Sequence, residues 1–97
     1  MTALTTPTIN VRVTAVLQKL TGGQKSVEAR GETVAAIIED LEARFPGFRA
    51  QLYGGDGKLH RFVNVYLNDE DIRYTGGTET AVKQGDVLDI LPALAGG

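Results

Sequence analysis

The sequence predicts an α+β fold, a mixed sheet of four to five strands rolled against one main helix. Three observations carry this reading. Runs alternating with period two open and close the chain, and one apolar stripe of helical period lies between them. The order is strand, strand, helix, strand, short strand, strand, which places a single helix on one sheet face. At 97 residues the chain makes one domain, long enough to bury ~60–70% of its unfolded surface. That domain is placed at residues 1–91, with residues 92–97 as an extended tail.

Ile9, Val11 and Val13 alternate with Asn10, Arg12 and Thr14, as a half-buried strand requires. Thr21-Gly22-Gly23-Gln24 supplies turn chemistry, and Lys25 to Ala29, around Val27, returns as the second arm of a hairpin. The main helix covers residues 33–45. Thr33 suits the N-cap, its hydroxyl accepting from an orphan amide of the first turn. Val34, Ile37, Ile38, Leu41 and Phe45 share one apolar stripe, while Glu39, Asp40, Glu42 and Arg44 face water. Pro46-Gly47 then stops the helix. Residues 48–58 read as a surface loop. Its Gly54-Gly55-Asp56-Gly57 run is no phosphate loop, because Leu59 follows Lys58 and a strand comes next.

A strand over residues 62–67 puts Val63, Val65 and Leu67 on one face and Phe62, Asn64 and Tyr66 on the other. Asn68-Asp69-Glu70-Asp71 turns the chain, and Ile72 to Tyr74 follows as a short strand. The last strand runs from Val87 to Leu91. Asp89 is costly to bury unpaired, so Leu88 and Ile90 should point inward, Val87 and Leu91 outward. Pro92 is expected to end ladder pairing. The face away from the helix should then carry Phe62, Tyr66, Val87 and Leu91, an apolar patch of the kind that marks a partner site. The alternative is that Leu52 or Tyr53 folds over it.

Composition removes several function classes. A net charge of −2 with pI near 5.3 argues against nucleic-acid binding. Without cysteine there is no disulfide, thiolate nucleophile or zinc-thiolate site. His60 is the single histidine, and beside Leu59 and Arg61 it reads as a structural residue rather than a catalytic one. Asp69-Glu70-Asp71 lacks the spacing of a calcium loop and reads as a solvated turn. No metal site is expected. Met1 to Pro7 has neither a basic start nor an apolar stretch, and no run approaches the ~20 residues of a membrane helix. The expected compartment is the cytoplasm.

The end of the chain remains. Leu94-Ala95-Gly96-Gly97 closes on two glycines, a coincidence of about 0.5% at ordinary glycine usage, although a frayed glycine-rich end is common. The strand order, the helix, and the ending Ile90-Leu91-Pro92-Ala93-Leu94-Ala95-Gly96-Gly97 resemble the ubiquitin-like sulfur carriers of the MoaD/ThiS family, which share the β-grasp fold. The stretches from Thr21 to Val27 and from Gly57 to Asp71 are most similar to actinobacterial carriers that feed cysteine synthesis from phosphoserine.

The resemblance implies a carrier rather than an enzyme. A separate ATP-dependent, ubiquitin-activating-like adenylyltransferase would adenylate Gly97, and a sulfur donor would convert it to a thiocarboxylate. The expected receiver is a sulfur-accepting synthase, pyridoxal-phosphate-dependent for cysteine, with a metalloprotease releasing the product. No cofactor is expected on this chain itself; ATP belongs to the activating partner. Pro92, Ala93, Leu94, Ala95 and Gly96 would thread a partner's channel. Phe62, Tyr66 and Leu91 would form the docking centre, with Arg61 and Arg73 at its rim. Molybdopterin, thiamine or a sulfur-containing secondary metabolite remains an alternative destination. A ubiquitin-like modifier joined to protein lysines, or a binding module with an incidental Gly-Gly, remains an alternative role.

Overall fold

A computed structural model of the chain describes residues 6–54, 59–60 and 63–92, the last by its backbone. Five strands form one sheet: β1 (Thr8–Val13), β2 (Ser26–Arg30), β3 (Val63–Leu67), β4 (Glu70–Asp71) and β5 (Val87–Pro92). Their order is β2-β1-β5-β3-β4. β1 pairs antiparallel with β2 and parallel with β5, and β3 pairs antiparallel with both β5 and β4. The strand leading to the tail is therefore central, gripped on both sides.

The main helix, here α2 (Val34–Arg44), lies where its apolar stripe requires. Thr33 caps it, accepting from the Ala36 amide at 3.1 Å. Val34, Ile37, Ile38 and Leu41 are fully buried against Ile9, Val11, Val65, Leu88 and Ile90 in one core. Just past strand β2 the chain meets the helix closely at Gly31, where a Cβ would stand 2.8 Å from the Ala36 and Ile37 backbone. Glycine is needed there for room.

Four expectations about the elements are corrected. Residues 48–58 are not all loop: Phe48–Leu52 forms a short helix, α3. Its two large apolar residues, Phe48 and Leu52, lie about one turn apart and are both completely buried. Gly47 makes the corner at φ 115°, and the Glu42 carboxylate accepts from the Gly47 amide (3.2 Å) and the Arg49 amide (2.8 Å). Leu52 thus joins the core, with Tyr53 packed on it, and neither covers the open face.

Ile72–Tyr74 is a 3-10 turn rather than a strand, because the Asp71 carboxylate accepts from the Arg73 amide at 2.9 Å and curls the chain. The short strand is Glu70–Asp71, reached through Asn68 and Asp69, both at positive φ as a two-residue hairpin turn demands. A further short helix, α1 (Ala15–Gln18), lies within the first hairpin connection, where only a turn was anticipated. Strand β5 continues through Pro92, which pairs with Val63, so proline does not end the ladder on that side. Among the described residues, no helix is long and apolar enough to cross a membrane.

Candidate functional site: the tail strand and the open sheet face

Strand β5 sorts its side chains as the carboxylate at Asp89 dictates. Leu88 and Ile90 are completely buried, whereas Val87, Asp89 and Leu91 face away from the helix. The parallel register sets Arg12 beside Asp89, and the antiparallel one sets Tyr66 on its other side. Asn64 adjoins Leu91 in the next row, and Leu91 is 39% exposed.

The centre of this face is an ion pair. Arg12 Nε donates to Asp89 Oδ1 at 2.5 Å and its Nη2 to Oδ2 at 2.7 Å, a two-pronged contact of high directional order. That hydrogen bond, reinforced by the carboxylate charge, pushes the Arg12 guanidinium pKa above its ordinary value. Hence the open face is not the plain apolar patch expected. Tyr66, Val87 and Leu91 lie around a charged pair bridging β1 and β5.

At one border, Asn68 Nδ2 donates to Asp86 at 3.0 Å, and its Oδ1 accepts from the Val87 amide at 3.0 Å, tying the β3–β4 turn to the start of β5. At another, the Arg73 guanidinium donates to the Val63 carbonyl at 2.9 Å and lies 3.9 Å from Asp71. Of the expected docking residues, the structure thus brings Tyr66 and Leu91 onto one face, with Arg73 along the β3 side. Arg61 and Phe62 lie outside the described residues, as do Ala93, Leu94, Ala95, Gly96 and Gly97. His60 contributes through its backbone, its amide donating to the Leu52 carbonyl at 2.8 Å.

Arg12 and Asp89 were missed as a site because nothing local joins them. They are 77 positions apart and meet only once β1 and β5 are neighbours. A usable signal did exist: an outward carboxylate on an otherwise apolar strand invites a cation on whichever strand pairs with it.

Comparison with known proteins agrees with this architecture. The ThiS family model matches residues 11–97. The sulfur carrier protein CysO of Mycobacterium tuberculosis (strain ATCC 25618 / H37Rv) is 52% identical over 91 residues, covering 92% of this chain and 98% of that protein. The crystal structure of the Amycolatopsis orientalis BexX/CysO complex contains a chain that superposes with TM-score 0.84 at 55% identity, covering 92% of this chain and 99% of the other. The small archaeal modifier protein 3 of Haloferax volcanii is 35% identical over 78 residues, covering 77% of this chain and 84% of that protein. By family match, identity and fold together, the chain belongs to the ThiS family of ubiquitin-like β-grasp sulfur carriers.

Proposed function

We propose that this protein carries sulfur as a thiocarboxylate on Gly97 and delivers it for cysteine synthesis from phosphoserine. Its identity of 52% to a CysO sulfur carrier is the observation that carries the reading. The chemistry suits the chain. A terminal carboxyl, with pKa near ~3.5, is an anion at neutral pH and a poor electrophile. Attack of that carboxylate on the α-phosphorus of ATP, in an activating enzyme, releases pyrophosphate and leaves an acyl adenylate. A sulfur donor then displaces AMP. With no cysteine in the sequence, a persulfide on this chain is excluded, and the C-terminal carboxyl is left as the place for sulfur.

The tail's reach supports the same reading. Residues 92–97, fully extended, span up to ~20 Å. That length lets Gly97 enter a partner's pocket while the domain rests outside. Gly96 and Gly97 allow a narrow channel to close on backbone, and Leu94 supplies an apolar anchor. Docking is assigned to the open sheet face, through Tyr66, Leu91 and Phe62 with Arg61 and Arg73 beside them. The receiver is a pyridoxal-phosphate-dependent synthase, and a metalloprotease frees the product from the tail.

The relative named as a modifier protein supports a second role, conjugation of Gly97 to lysines of other proteins. The intact mass of the protein isolated from its host tests both. A gain of about 16 Da, one oxygen exchanged for sulfur, is expected for the carrier. Higher-mass conjugates point to the modifier, and an unmodified carboxylate alone rejects both. Consumption of the thiocarboxylate by a purified synthase then identifies the pathway.

A further inference from the structure

The parallel ladder between β1 and β5 stops at a definite chemical point. The Asn10 amide donates to the Asp86 carbonyl at 3.0 Å, which sets the parity of the ladder. On β5, Leu88 and Ile90 therefore turn their backbone groups toward β1, and Val87, Asp89 and Leu91 turn theirs toward β3. The last pair of the register is Val13 with Ile90, and by the same parity the Ile90 carbonyl turns toward β1. The next donor in sequence would be the amide of residue 92, aimed at the Thr14 carbonyl. Residue 92 is proline and has no N–H.

The Thr14 carbonyl goes elsewhere. It accepts from the Leu17 amide at 2.9 Å and the Gln18 amide at 3.0 Å, which occupies both lone pairs and starts α1. On the β3 side the proline costs nothing, since Pro92 pairs with Val63 at a position whose own amide faces the other way. Proline thus sits in a central strand at the one place where its missing donor faces a strand that has ended. The Thr14 hydroxyl is buried with no hydrogen-bond partner among the described residues.

We infer that Pro92 is a positioning residue for tail delivery, withholding one amide so that the Thr14 carbonyl serves α1 and the β1 ladder ends before residue 92. The inference rests on the carrier reading above. In its absence, residue 92 would compete with α1 for Thr14 and extend the β1 ladder toward the tail. One backbone hydrogen bond of ordinary net strength shifts such a competition roughly two- to tenfold.

The test is Pro92→Ala in the full chain, with Pro92→Val as a second restored donor should the first lose its folded signal. Hydrogen exchange of the new amide at position 92 is expected to slow roughly two- to tenfold relative to an open peptide, with an NMR coupling across the hydrogen bond to Thr14. The KM of the activating enzyme for the carrier should rise by a similar factor, with kcat at saturation retained. A freely exchanging amide overturns the inference, as does a protected amide with unchanged KM. Failure of the unsubstituted chain to be charged at all rejects the carrier reading instead, and the exchange measurement still decides the ladder.

Discussion

Gly31 and Gly97 have no side chain for different reasons, and substitution separates them. At Gly31 the folded backbone leaves no space, with Ala36 and Ile37 atoms 2.8 Å from where a Cβ would stand. Gly31→Ala should cost about 1–3 kcal/mol through overpacking, lowering Tm by several degrees in a thermal melt. At Gly97 the constraint, under the proposed function, is the partner's channel. Gly97→Ala should leave the melt unchanged and abolish adenylation, read as loss of pyrophosphate release. Normal charging of that variant would reject the channel.

Elements here are secured by polar groups at their ends as much as by stripes. The Thr33 hydroxyl takes one orphan amide of α2, so Thr33→Ala should destabilise by about 1 kcal/mol, seen as a denaturant midpoint shift at constant m. Helix α3 is tied to α2 by Glu42 and by the Arg49–Glu39 pair, with Tyr53 closing its end. Burial, then the nearby Glu39 charge, raises the Tyr53 pKa above its ordinary value, with Arg49 opposing. The folded state therefore holds this phenolic proton more tightly than the unfolded one. Stability from this group is intact below about pH 10, the unfolded value, and falls as pH climbs through the raised folded pKa. Tyr53→Phe should flatten that alkaline limb in a pH series of melts. Arg12 links β1 to β5 at the surface, where such a pair is screened. Arg12→Gln should leave Tm nearly unmoved yet weaken capture by the activating enzyme, and equal binding of both proteins would remove the pair from the docking face.

At the scale of the whole molecule, one core beneath one sheet carries the stability. Ile90 is completely buried at the centre of the tail-bearing strand. Ile90→Ala should cost about 2–5 kcal/mol, a large part of the ~5–15 kcal/mol available to a small domain. Both stability and charging should fall in that variant. Leu88 and Ile90 inward, the Thr33 cap and the α2 stripe were all legible in the sequence, because each follows from a period or a cap within a few residues. Helix α3 was not, since a single turn behind Pro46-Gly47 is too short to show a period. The curl at Ile72 was not legible in the sequence, because the Asp71 side chain, rather than propensity, makes it.

The sequence alone determined the α+β roll, the identity of its main helix and the glycine end, since local patterning and terminal chemistry need no neighbours to be read. The tertiary structure decided which strand lies beside which. Only that adjacency joins Arg12 to Asp89 and turns the missing amide of Pro92 toward Thr14, because pairing across a sheet couples residues that the chain keeps far apart.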